Sequence, residues 1–373
     1  MIFLAIAFWV SVGLLVYTHL GYPALLWALA RARGRAEAGP RAGEPPPSVS
    51  LIIAAHDEDA VIERRLENLL ALDYPGEQLE IVVASDDSGD RTDELVEAIA
   101  AREPRVRLLR CPRGGKVAAQ DRAVRDSSAE VVAFGDANAM WSPDALRLLV
   151  RSFADPDVAY VCGRLVLTDA AGDNREGIYW RFETWLREQE SALGSVTGGN
   201  GAIYAVRRSD YVEVDPRFGH DLSLPYVMVQ RGRRAVYDAE AIARERPTPG
   251  IGTEYRRKVR MFEHCWLIVA RGKMLRRQPP LYFAEIFSHR HLRYASGLLH
   301  LVVLGTNIAL VSARAGWVYD VALGLQVAFV AVAFARPSIA RYYALVTWAT
   351  VVALWNYLRR GVPATWDAAE GTR

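Results

Sequence analysis

The chain has 373 residues, 51% of them hydrophobic, which allows two ordinary domains or one large domain with membrane segments. A formal net charge of only +2 excludes a chain-wide field for nucleic acid, and no nucleic-acid partner is expected. The three scattered cysteines, Cys111, Cys162 and Cys265, offer no metal-ligand spacing and point to a reducing compartment.

Residues 2–30 contain no Asp, Glu, Lys or Arg. A membrane span needs about 20 such residues, so 1–30 is predicted to be an N-terminal transmembrane helix. A cleaved signal peptide, with ALA at 28–30 as its site, would need a basic start and a shorter apolar run. Arg31, Arg33, Arg35 and Arg41 follow in a basic, Pro-rich linker, 31–47. By the positive-inside rule they place the next segment in the cytoplasm.

From 48 to 272 strand and helix signals alternate. VSLIIAA (49–55) is a continuous apolar run, and in AVIERRLENLLAL the residues Val61, Ile62, Leu66, Leu69 and Leu70 share one helical face. Then come EIVVAS, the helix DELVEAIAAR, RVRLLRC, a helix near 117–127 and EVVAFGD. Strands this apolar are covered on both faces, which indicates an α/β doubly wound, mostly parallel sheet.

Ligands of such sheets sit outside the carboxyl ends of the strands. The first strand exits into His56, Asp57 and Glu58; the second into Asp86, Asp87, Ser88, Gly89 and Asp90. The third leads to Gly114, Gly115 and Lys116, and the fourth to Asp136 and Asn138. Any one strand-end Asp suits a turn or a helix cap, as Asp90 and Thr92 would before the helix at 93–102. Four such exits on one rim imply a cation between carboxylates, and oxygen ligands suit Mg²⁺ or Mn²⁺ shared with phosphates. GxxxxGK[ST] is absent, and no GxGxxG follows the first strand, which leaves neither a P-loop nor a dinucleotide site. A nucleoside diphosphate joined to a transferable group fits better.

VSLIIAAHDE, IVVASDDSGDRT, GGKVAAQDRAV, VVAFGDANAMWSPDALRLLV, GGNGAIYAVRR and HDLSLP together resemble the ordered motifs of family-two glycosyltransferases. The likeness is to the cellulose-synthase-like and poly-N-acetylglucosamine-synthase-like membrane branch, and it covers 48–272 and the flanking membrane segments. It implies a GT-A (Rossmann-like) domain and inverting, metal-dependent transfer of a hexose from a nucleotide sugar, usually a UDP-sugar. By this resemblance Glu58 and Asp86 contact the uridine and Lys116 lies beside the nucleotide. Asp136 holds a Mg²⁺ or Mn²⁺ ion bridging the phosphates, with Asn138 where many relatives have a second Asp. Asp221 is the base, and His220 stands where relatives usually have another acid. The His220 ring then either relays a proton or packs. Gly199, Asn200 and Gly201 form the acceptor-side segment, a role compatible with an Asn-Gly turn before a strand at 202–207.

In EYRRKVRMFEHCW (254–266) the Q-x-x-R-W of processive relatives is missing. Arg260, with Arg257, is the candidate diphosphate clamp, and a basic face against anionic lipid is the alternative. Residues 273–294 suit an interfacial amphipathic helix or a connecting loop. Candidate spans follow at 295–313, 316–335 and 339–358, with Arg314, Arg336 and Arg341 between them and a tail at 359–373. The expectation is a multi-pass protein of a bacterial cytoplasmic membrane, active in polysaccharide biosynthesis. Its catalytic domain faces the cytoplasm and joins a nucleotide-sugar donor to a glycan or lipid-linked acceptor. Two alternatives are a non-catalytic nucleotide-sugar-binding membrane protein and a sugar-phosphate nucleotidyltransferase. The latter would carry a Gly-rich, basic loop after the first strand, where AAHDED stands.

Overall fold

The computed structural model describes residues 1–34, 45–168, 178–247, 250–335 and 339–364. Arg35, Arg41, Arg336 and the tail beyond 364 lie outside the described residues. Two compact units are present.

The unit spanning residues 30–249 is built on an eight-stranded sheet. Its strands are β1 (Val49–Ala55), β2 (Leu79–Asp86), β3 (Val106–Cys111), β4 (Val131–Gly135), β5 (Met140–Trp141), β6 (Val158–Leu167), β7 (Ile203–Arg207) and β8 (Arg234–Glu245). Their order is β3-β2-β1-β4-β7-β6-β8-β5. Pairs β1–β2, β2–β3, β1–β4 and β6–β8 are parallel; β4–β7, β6–β7 and β5–β8 are antiparallel. This is the α/β, mostly parallel, GT-A-like sheet. Side chains alternate between two cores. Leu51, Ile53, Ile81 and Val83 pack with Leu66, Leu69, Val96 and Leu149 on one face. Ile52, Val82, Val132 and Phe134 pack with Ala119, Ala123, Leu224 and Met228 on the other. Each such buried Ile or Leu stabilises the fold by about 1.5–3 kcal/mol.

The chain runs outward from β1 to β2 and β3, then returns to β4 on the other side of β1. That reversal opens a crevice at the carboxyl ends of β1 and β4. The intervening helices are Ile62–Leu70, Thr92–Ala100 and Lys116–Arg125.

The second unit comprises residues 1–29, 250–275 and 280–362. The N-terminal helix runs from Ile2 to Arg33 and includes a π-helical turn at Tyr17–Gly21. It and Trp317–Ala335 are the two described helices long and apolar enough to cross a membrane. Phe3, Phe334 and Leu325 stand exposed on them, as side chains facing lipid would. Of the three C-terminal candidates, Trp317–Ala335 is the one that meets the length and hydropathy of a span by itself. Ser296–Ser312 reaches spanning length only together with Pro280–Leu292, from which it bends by 61°. Ile339–Arg360 is a 22-residue helix, but Arg341, Arg359, Arg360 and several Tyr and Trp residues keep it out of the apolar pair. Residues 280–292 are helical rather than a loop.

Polar contacts tie these helices. Tyr343 Oη meets His19 Nε2 at 3.0 Å and His300 Nε2 at 2.9 Å. The helix Ile251–Arg271 is fastened to Ile339–Arg360: Trp266 Nε1 donates to the Thr350 carbonyl, and Glu263 accepts from Asn356 Nδ2 and Arg360 Nη2.

Candidate active site

The turn after β1 holds a left-handed residue, Asp57 (φ +53°), and the turn after β2 holds another, Asp87 (φ +59°). Both turns are held by side-chain oxygens. Gly89 N–H donates to Asp57 Oδ1 at 2.7 Å, and Glu58 N–H donates to Thr92 Oγ1 at 2.8 Å. Asp90 accepts from Thr92 N–H, Thr92 Oγ1 and Asp59 N–H, and so caps the helix Thr92–Ala100. Burial pushes the Asp90 carboxyl up, but these donors outweigh it and hold it below its usual value.

Asp86 is 2% exposed at the end of β2. Its carboxylate accepts from Gly114 N–H at 2.7 Å, from Gly115 N–H at 3.0 Å and from Arg113 Nη1 at 2.6 Å. One side chain thereby shapes the Gly114-Gly115 loop. Gly115, at φ +89°, opens the helix that carries Lys116.

The Lys116 ammonium bonds to Asp136 Oδ1, just past β4. Burial works against its charge, yet Asp136, Asp221 and Glu245 together raise its pKa. Carboxylates from three different segments thus bear on one ammonium. Gly201 backs this pair: a Cβ there would lie 3.2 Å from Lys116 Nζ and 3.8 Å from Asp136 Oδ2. Asn138, two residues beyond Asp136, is half-buried. Among the described residues no group of three His, Cys, Asp or Glu forms a metal cage. One carboxylate, Asp136, with an amide two residues on, matches the one or two protein ligands that Mg²⁺ usually takes beside substrate oxygens; Lys116 occupies Asp136 Oδ1, which would leave Oδ2 for such an ion.

Asp221 lies in the first turn of the helix His220–Gln230. Gly219 precedes it at φ +75°. Asn200 is committed locally: its Nδ2 donates to the Gly163 carbonyl, and its Oδ1 accepts from Ala202 and Ile203 N–H. Gly199 permits close packing, because a Cβ there would lie 2.0 Å from Tyr160 Oη. The His220 ring is 3% exposed. Its Nδ1 is 3.0 Å from Tyr204 Oη, and its Nε2 is 3.1 Å from Tyr211 Oη and 3.3 Å from Asp121 Oδ1. Arg257 and Arg260 belong to the helix Ile251–Arg271 of the other unit, where Arg257 pairs with Glu254 at 2.9 Å.

Two participants were not anticipated. Glu245 ends β8, and nothing local marks it. Arg65 had a legible signal: it falls among Ile62, Leu66 and Leu69 on the buried stripe of its helix.

A family model described as glycosyl transferase family 2 matches residues 50–214. A beta-monoglucosyldiacylglycerol synthase from a Synechocystis species is 28% identical over 176 residues, 45% of this chain and 37% of that protein. The aligned part therefore spans little more than a third of that relative. An N-acetylglucosaminyltransferase from Bradyrhizobium elkanii is 33% identical over 150 residues, 39% of this chain and 75% of that protein. Among solved structures, the mannosyltransferase PcManGT from Pyrobaculum calidifontis, in complex with GDP-Man and Mn²⁺, superposes with a TM-score of 0.72. It is 22% identical, and the match covers 95% of this chain and 99% of that one.

Proposed function

The chain belongs to glycosyl transferase family 2, and from that premise we propose that it is a membrane-anchored, inverting glycosyltransferase. It moves a sugar from a nucleoside-diphosphate donor, a UDP-sugar first, to a hydroxyl of a glycan or lipid-linked acceptor. The observation that carries this is the bond from the Lys116 ammonium to Asp136 just past β4, with the charges of Asp221 and Glu245 also acting on that ammonium.

Asp136, with Asn138 beside it, would hold the divalent ion. Bound there, that ion neutralises charge growing on the leaving diphosphate. Lys116 adds a point charge on the same side. Asp86 acts through the loop it shapes, placing the Gly114 and Gly115 backbone where a phosphate can come close. Asp221 takes the proton of the acceptor hydroxyl as its oxygen bonds to the anomeric carbon and the bond to diphosphate breaks. Gly201 leaves room for Lys116 beside Asp136, and Gly199 lets its loop pack against Tyr160. Arg257 and Arg260 remain candidates for gripping the diphosphate. The relative named for monoglucosyldiacylglycerol synthesis supports a lipid hydroxyl as acceptor.

The domain limits 48–272 for the catalytic part, 273–294 for an interfacial part and 295–358 for membrane helices belong to this reading. So does a cytoplasmic catalytic face, supported by Arg31 and Arg33 at the end of the first long apolar helix.

The test is release of nucleoside diphosphate by the full chain in lipid nanodiscs. UDP- and GDP-sugars are offered with Mn²⁺ and a diacylglycerol or glycan acceptor. Turnover with one donor, lost in Asp221→Asn, supports the proposal. Full turnover in Asp221→Asn removes Asp221 as base, and no turnover with any donor sinks the enzymatic reading in favour of a nucleotide-sugar-binding protein.

A further inference from the structure

Arg65 is the most deeply buried cation among the described residues, at 0% exposure. Its Nη1 donates to Asn68 Oδ1 at 2.8 Å, and its guanidinium lies 5.4 Å from the centre of the Trp141 ring. Asn68 in turn clasps both the N–H and the carbonyl of Trp141. Nε and Nη2 have no hydrogen-bond partner among the described residues. Nη2 sits directly under the strand end: a Cβ on Gly135 would lie 2.6 Å from it. The next residue is Asp136. A glycine at 135 is therefore what leaves room for a guanidinium behind the cleft.

Such a placement is costly to the fold. A guanidinium keeps its charge, and buried donors left unmade destabilise. An apolar side chain of similar volume would be as good or better for stability alone. Burial lowers the Arg65 pKa to about 9, still charged at neutral pH, and the charges that work against that lowering are those of Asp136 and Glu245, which also act on Lys116. Three carboxylates facing an incoming diphosphate would repel it. Lys116 offsets Asp136 by direct contact, and Arg65, set under Gly135, offsets the same carboxylate from behind.

We propose that Arg65 is a positioning residue for the donor, a fixed positive charge behind Asp136 that lets a diphosphate settle against an acidic site. This rests on the reading of the donor as a nucleoside-diphosphate sugar. Because the guanidinium is enclosed, it acts through the field at Asp136 and not by touching the ligand.

The test compares wild type with Arg65→Met and Arg65→Lys as full chains in nanodiscs. UDP, GDP, uridine and guanosine are titrated with Mn²⁺ present, and thermal unfolding is followed in parallel. Expected in Arg65→Met is diphosphate binding weakened about tenfold, the scale of one charge felt through protein interior. Nucleoside binding and Tm should hold or, for Tm, rise. Arg65→Lys should recover part of the affinity. Gly135→Ala, which pushes the guanidinium end away, should weaken diphosphate binding when Arg65 is present and add little in Arg65→Met. Unchanged diphosphate affinity in Arg65→Met overturns the proposal. So does a lower Tm with nucleoside and diphosphate binding lost together, which would make Arg65 a structural residue. Wild type that binds neither diphosphate overturns the donor reading as well, which separates the two failures.

Discussion

The Gly199 N–H donates to the Asp221 carbonyl at 2.7 Å. This bond ties the loop at Gly199 to the first turn of the helix His220–Gln230. Gly199→Ala would drive a methyl into Tyr160 Oη, 2.0 Å away, and into Cζ, 3.0 Å away. Overpacking of this kind costs about 1–3 kcal/mol. The expected outcome is a lower Tm and a fall in turnover. Tyr160→Phe should restore part of both, since the hydroxyl it removes has no partner among the described residues. Thermal unfolding and turnover of both single variants and the double variant check this.

Asp136→Ala and Asp221→Asn should fail differently. Asp221→Asn keeps shape and loses the base, so turnover drops by roughly 10²–10⁴ while diphosphate affinity holds. Asp136→Ala strips Lys116 of its bonded counter-ion and should weaken Mn²⁺-dependent diphosphate binding itself. Calorimetric titration beside a turnover assay separates the two.

His220→Ala should unfold more easily than wild type. It empties a buried pocket and removes one contact each from Asp121, Tyr204 and Tyr211, while Tyr211 Oη still donates to Asp121 and Tyr204 Oη to Gln120, so the cost is that of one or two hydrogen bonds, about 1–3 kcal/mol in all. If His220 relays a proton instead, His220→Asn would keep its Tm and lose turnover with a shifted pH profile.

Asp90 links acid to stability. Its folded carboxyl lies below the ordinary value, so its contribution is complete above the unfolded carboxylate range and is lost as pH falls through the folded value. Asp90→Ala should cost about 1 kcal/mol at neutral pH, as lost helix caps do. That gap to wild type should close progressively below about pH 4. Denaturant titration at several pH values reads it out.

Cys111, Cys162 and Cys265 are buried, and none is in a disulfide. Burial pushes the Cys162 thiol up to about 12 and raises Cys111 above its usual value. Native protein at neutral pH should resist maleimide, while denatured protein labels fully; mass spectrometry of both states checks it.

The sheet was legible because β1, β2 and β4 are apolar on both faces, and only strands covered by two layers read that way. The helix Ile62–Leu70 was legible from its stripe. The two-residue β5 and the antiparallel insertion of β7 were not, since their pairing depends on partners far along the chain. At the site, Asp136 and Lys116 were recognisable as strand-end groups, but their contact was not, nor was the capture of Asp86 by Arg113, Gly114 and Gly115. Those are long-range geometries without local spacing. The arginines and aromatic residues within Ile339–Arg360 were visible from the start, and they set it apart from the more apolar helix Trp317–Ala335.

The bonds from Trp266 to Thr350 and from Glu263 to Asn356 and Arg360 bear on how this chain can be cut. A fragment ending at residue 249 would retain every strand and every acid around Lys116. It would discard Arg257 and Arg260. Extending the fragment to 272 recovers those arginines but strips their helix of its neighbour some ninety positions downstream, leaving Glu263 and the Trp266 indole without their partners. Shortening from the carboxyl end should thus injure the arginine helix while every carboxylate on the sheet stays in place.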